Sequence, residues 1–174
     1  MRTPYLSVRK LIRRLKNGAS ESLEFEPGVN VILGRPNTGK TKWVQTLDFL
    51  LGDAGEKNPL LPIDDERLKD KYEAAGAELL VGQETVSIER RWLEPGAVGK
   101  IFVDGEAMLT KDFQHFLLEK LGIPLVHYPK GNPASGQAWP ELSFRSLLRH
   151  IYRRQNLWTD IADQQQDDEQ HASL

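Results

Sequence analysis

The 174-residue chain has no cysteine, which excludes a disulfide framework and any thiolate metal site and suits a reducing compartment. No apolar run approaches the roughly 20 residues that a membrane-spanning helix requires, and Met1-Arg2-Thr3-Pro4 lacks the hydrophobic core of a secretory signal. The expectation is a soluble, cytoplasmic protein with no membrane partner. A surplus of one charge is missing too: 23 Lys and Arg stand against 25 Asp and Glu, a net charge of −2, so nothing global favours nucleic acid. His115, His127, His150 and His171 fall at no metal-ligand spacing, and Asp64-Asp65-Glu66 sits at an expected helix start, where carboxylates suit the macrodipole. There is no internal repeat. With 39% hydrophobic residues, the chain can build the core of one domain and not comfortably two.

What is present begins with Gly34-Arg35-Pro36-Asn37-Thr38-Gly39-Lys40-Thr41, which fills the G-x-x-x-x-G-K-[ST] pattern of a phosphate-binding P-loop. Val29-Asn30-Val31-Ile32-Leu33 reads as a buried strand entering it, and Lys40 to Leu51 as a helix leaving it. Glycines let the backbone curl around phosphate oxygens where a Cβ would collide, and the helix N-terminus adds free N–H groups and partial positive charge. Lys40 is placed to reach the β- and γ-phosphates of ATP, and the Thr41 hydroxyl to ligate the bridging Mg²⁺. The candidate nucleotide-binding set is therefore Gly34, Arg35, Pro36, Asn37, Thr38, Gly39, Lys40, Thr41 and Lys42. GTP-specific N-K-x-D motifs are absent, which favours ATP.

Ahead of the loop, Leu6 to Ile12 and Ser22 to Phe25 read as strands joined through the turn signal Asn17-Gly18. The run into Leu33 has the continuous apolar character of a central strand buried on both faces. In the helix that follows, Trp43, Val44, Leu47, Leu50 and Leu51 form the expected buried stripe, with Gly52 as its C-terminal cap. A loop from Asp53 to about Asp64 leads to a short helix expected over 66–75. Ala77 to Val81, Thr85 to Trp92 and Lys100 to Val103 then read as strands, separated by Gly82-Gln83 and Glu94-Pro95-Gly96 and closed by Asp104-Gly105. That is an antiparallel meander, where nucleotide and metabolite kinases continue in alternating parallel strands and helices. Thr110 is the expected N-cap of a helix to Leu121, and Pro124 to Pro140 an irregular loop. Ser143 caps a last helix with Phe144, Leu147, Leu148 and Ile151 buried. Basic residues gather at 9–16 and again at Arg145, Arg149, Arg153 and Arg154, each cluster reading first as a solvated face.

Phe25 to Gly34, the P-loop, Ser87-Ile88-Glu89-Arg90-Arg91, and Phe144 to Leu148 leading to Tyr152-Arg153-Arg154-Gln155 together resemble the N-terminal half of the ATPase head of SMC-like ABC ATPases, the group that includes SMC, RecN and SbcC-type proteins. The resemblance covers roughly residues 5–160. It implies an α/β fold of the P-loop NTPase type, an ABC-ATPase-like N-terminal lobe with an antiparallel β side sheet. It places Gln155 as the Q-loop glutamine, a nucleotide and Mg²⁺ contact alongside Thr41, and it puts a basic residue of the first hairpin, Arg14 or Lys16, against the nucleotide. It also implies a role in DNA repair, chromosome maintenance or defence against foreign DNA, with head-to-head dimerization and DNA as a further partner.

The Walker B pair, signature motif and switch histidine of the family's second half do not follow Gln155. Ile101-Phe102-Val103-Asp104-Gly105-Glu106 is a Walker B mimic that also reads as a turn. The expectation is that residues 1–162 form one lobe and 163–174 a disordered tail or the start of a coiled coil, the C-terminal lobe and coiled coil lying outside this sequence. ATP hydrolysis would then belong to the completed head, leaving this chain nearly inactive. The alternatives are a self-contained P-loop kinase or phosphotransferase and an interaction module with a degenerate loop.

Overall fold

A computed structural model describes residues 5–53, 68–127, 130, 132, 134, 136 and 141–151. The chain divides into two compact units, Met1–Phe113 and Gln114–Leu174, the division falling inside a helix.

The first unit is built on a six-stranded sheet: β1 (Leu6–Leu15), β2 (Ser20–Glu24), β3 (Tyr72–Val81), β4 (Glu84–Arg91), β5 (Lys100–Val103) and β6 (Glu106–Leu109). They lie in the order β2-β1-β3-β4-β5-β6, and all five pairings are antiparallel. The fold is therefore mixed α/β around an antiparallel sheet. Helix α1 (Lys40–Leu50) follows the glycine loop, and the four-residue α2 (Leu68–Lys71) runs directly into β3. β3 is a ten-residue strand where a helix was expected over its first residues. Tyr72-Glu73-Ala74-Ala75 has helix-forming composition, but the long β1–β3 ladder, from Leu6↔Val81 to Leu15↔Tyr72, overrides that local preference. β6 is a strand beyond the three expected in the meander; the Asp104-Gly105 turn folds it back on β5 as a hairpin, with φ of 49° and 90° at the two central residues, as a type I′ turn requires.

The sheet's two faces differ in chemistry. Leu11, Ala77, Leu79 and Ile88 are fully buried, whereas the opposite face carries a lattice of ion pairs: Lys10 with Glu24 at 2.9 Å, Arg14 with Glu89 at 3.0 Å, Arg91 with Glu89 at 2.9 Å and with Glu94 at 2.9 Å. Two of the five residues of the first basic cluster, Lys10 and Arg14, thus pair with carboxylates on other strands of the sheet.

The largest departure from expectation lies just before the glycine loop. Val29 to Leu33 is not a strand: it is irregular, and Val29, Val31 and Leu33 are 95%, 71% and 85% exposed. A strand buried on both faces needs hydrogen-bonded neighbours on both sides. No described strand pairs with this run.

In the second unit, α3 (Thr110–Lys120, entering from the first) ends where Gly122 takes a φ of 68° and Ile123 N–H bonds the Leu118 carbonyl at 2.9 Å. Helix α4 (Phe144–Ile151) begins as expected: the Ser143 hydroxyl accepts the Ser146 N–H at 3.1 Å. The buried Gln114 side chain accepts the Arg145 N–H at 2.8 Å, and His115 meets Glu141 at 3.0 Å. Phe144 and Leu148 are buried, but Ile151 is exposed, against expectation. No helix among the described residues is long and apolar enough to cross a membrane.

Candidate phosphate-binding site

The loop from Gly34 to Thr41 has the backbone its sequence demands. Gly39, the N-cap of α1, sits at φ 79° and contributes no side chain, so no capping bond occupies the first N–H groups of the helix. Asn37 is also left-handed, at φ 61°, a conformation that asparagine tolerates better than most residues. Gly34 is constrained differently: a Cβ there would lie 3.0 Å from the Thr38 hydroxyl oxygen, which itself donates to the Arg35 carbonyl at 2.8 Å. The Lys40 ammonium donates to the Gly34 carbonyl at 2.9 Å, to the Arg35 carbonyl at 2.6 Å and to Thr38 Oγ1 at 3.4 Å. All three of its protons are thereby directed across the loop. Thr41 is exposed.

These features fit a phosphate. The uncapped helix start supplies unpartnered donors and the macrodipole's positive end. Lys40 is held by neutral carbonyls, weaker acceptors for an ammonium than phosphate oxygens. The fit to a metal is narrower: Thr41 offers one hydroxyl, and no group of three or more acidic or histidine side chains capable of holding an ion occurs among the described residues. Gln155, the other expected metal contact, lies outside the described residues.

Two arginines tie α1 to the sheet: Arg13, expected with its basic cluster on a solvated face, and Arg90, quoted only within the run Ser87 to Arg91. Arg13 on β1 and Arg90 on β4 are each 5% exposed and stand abreast, both in register with Ala75 of the strand between them. Ala75's small side chain leaves space over the strand for both guanidinium groups. Arg13 donates from Nε and Nη2 to Thr46 Oγ1 at 3.2 and 3.1 Å, with its guanidinium 3.8 Å from the centre of the Trp43 ring. Arg90 donates from Nη1 to the Phe49 carbonyl at 2.8 Å and the Asp53 carbonyl at 2.6 Å, and lies 3.9 Å over the Phe49 ring. The second set satisfies carbonyls at the C-terminal end of α1, where a cation also complements the dipole. Burial lowers the pKa of both arginines, that of Arg90 to about 10.

Of the expected stripe Trp43, Val44, Leu47, Leu50 and Leu51, Leu50 and Leu51 are buried and Val44 is exposed, and the helix also buries the polar Thr46 and Asp48. The signal was available in the alternation of β1 and β4, which puts Arg13 and Arg90 among inward-facing positions, but arginine at such a position does not announce its partner. The two basic residues proposed from the hairpin are placed otherwise. Arg14 pairs with Glu89, and Lys16 is exposed, its backbone N–H bonded to the Lys71 carbonyl at 3.3 Å. Asp104 is held in its turn: its carboxylate accepts the Ser87 N–H at 2.8 Å, which answers the Walker B mimic with a structural role.

No protein-family model matches this sequence, and no curated protein matches it. Among solved structures, similarity is found to an SMC ATPase chain studied for ATP-driven dimerization and DNA-stimulated activation, at 15% identity and a TM-score of 0.47, over 83% of this chain and 95% of that one. At that level the likeness decides neither fold family nor activity.

Proposed function

We propose that this chain is the ATP- and Mg²⁺-binding N-terminal lobe, residues 1–162, of an SMC/RecN/SbcC-like ABC ATPase head. The observation that carries the reading is the glycine loop running into an uncapped helix start with Lys40 folded across it. On this reading an arriving triphosphate takes the Lys40 ammonium from the loop carbonyls and accepts the free N–H groups of the first turn. Thr41 and Gln155 are the Mg²⁺ contacts. The exposed Val29 to Leu33 run supports a missing partner: a second lobe would supply the neighbouring strands, and with them the acidic residues that activate water. Head-to-head dimerization, a cytoplasmic location and work on DNA belong to the same reading, on the strength of the motif resemblance alone. The all-antiparallel sheet and the engaged Asp104 carboxylate speak against a self-contained kinase.

Titration of the purified chain with a fluorescent ATP analogue and Mg²⁺ tests this. Saturable binding should weaken at least about tenfold in Lys40→Ala, with turnover close to background in both proteins. The same weak signal in both would make the loop degenerate, and brisk turnover abolished by the substitution would mean that the chain is a complete enzyme.

A further inference from the structure

Resting on the phosphate-loop reading, we infer that Arg13 is a positioning residue for the loop: acting through Thr46, it fixes the first turn of α1, and so the direction in which the loop's donors point. Arg13 is buried, and against the cost of that burial Tyr72 and the charge of Glu21 favour its cationic form, an arrangement that is expensive to the extent its donors go unmet. The Thr46 hydroxyl takes two of the guanidinium's five N–H donors and uses its full valence in doing so. It accepts from Nε and Nη2 of Arg13 and donates its one proton to the Lys42 carbonyl at 2.7 Å. Because a guanidinium can only donate, the direction of the chain Arg13 to Thr46 to Lys42 cannot reverse. It ends on the first helical turn, two residues beyond Lys40, and the adjoining Trp43 ring is covered by the same guanidinium.

The opposite end of the loop has no comparable anchor. Among the described residues, Val29 and Val31 to Leu33 find no hydrogen-bond partner, and Asn30 bonds only its own turn, through Glu26 and Gly28. In this chain the loop is therefore held from its helical side, and Arg13 is the sheet's polar grip on that side. Arg90 grips the far end of α1, which leaves orientation of the first turn to Arg13 and Thr46.

The test compares Thr46→Val, which removes the hydroxyl at nearly constant size, with Thr46→Ser, which keeps it. Three readouts are followed: affinity for the fluorescent ATP analogue with Mg²⁺, amide hydrogen exchange at Trp43 to Gln45, whose N–H groups close the first turn of α1, and exchange in β3 and β4. Thr46→Val should weaken nucleotide binding about tenfold, the equivalent of one lost hydrogen bond to a charged group. It should also speed exchange at Trp43 to Gln45 while β3 and β4 stay protected, and Thr46→Ser should restore both. Unchanged exchange at Trp43 to Gln45 in a folded Thr46→Val protein overturns the inference. So does wild-type affinity in that variant. A wild type that binds no nucleotide, yet shows the exchange difference, instead sinks the phosphate reading while leaving the grip on α1 intact.

Discussion

Glu21 belongs to a small polar group at the edge of the sheet whose charge is set by its neighbours. Its carboxylate accepts from the Tyr72 hydroxyl at 2.7 Å and from the Lys71 ammonium at 3.1 Å. The Tyr72 hydrogen bond first, and Lys71 second among the favourable contacts, hold its pKa below the ordinary 4.5. A carboxyl whose folded pKa is depressed binds protons less readily than in the unfolded chain, so its contribution to stability is present above about pH 4.5 and is lost as pH falls through the lower folded value. Melting temperature should thus fall more steeply on the acid side of about pH 4.5 in wild type than in Glu21→Gln; parallel curves for the two proteins would show that the contact contributes nothing. The same residue scale explains why the buried roles of Arg13 and Arg90 were not legible in the sequence. A charged side chain at an inward strand position is recognisable as unusual, but whether it is paired, solvated or capping a helix depends on atoms more than thirty residues away.

Turn chemistry was the most legible feature among the elements. Asn17-Gly18, Gly82-Gln83 and Asp104-Gly105 all connect antiparallel neighbours in the sheet, because the left-handed backbone that tight hairpins need favours glycine and asparagine or aspartate irrespective of what the strands pack against. At Gly105, φ is 90°, so Gly105→Val should cost about 1–2 kcal/mol, read as a lower urea midpoint at unchanged slope. No loss would mean that the hairpin relaxes into another turn. Strand and helix were harder to tell apart where composition and pairing disagree. Tyr72 to Gly76 extends β3 against its helix-like residues since β1 and β4 offer hydrogen-bonding partners on both sides. Val29 to Leu33, with ideal strand residues, is irregular without them.

On the scale of the whole molecule, that exposed run behaves as surface. Val31→Ser should leave the melting temperature within about 1–2 °C of wild type, as for a surface substitution worth less than about 0.5 kcal/mol. It should also reduce self-association at high concentration, measured by sedimentation, because an unpaired apolar strand segment is a template for pairing between chains. A large drop in melting temperature would place Val31 in a core. Among the described residues the antiparallel sheet forms without the run and is anchored by its own buried residues, so the two parts answer to different requirements.

The sequence by itself determined the local chemistry: a glycine-rich loop running into a helix without a side-chain cap, the turns that reverse the chain, and the capped start of α4. Each depends on the conformational range or hydrogen-bonding valence of a few adjacent residues, which nothing distant needs to supply. Only the tertiary structure decided that α1 is gripped through Thr46 and its C-terminal carbonyls, that β1 reaches across ten residues of β3, and that the run entering the loop is exposed. The physical reason is that hydrophobic pattern records a demand for burial, whereas a strand or a buried charge exists only where a second segment brings the complementary hydrogen-bonding groups.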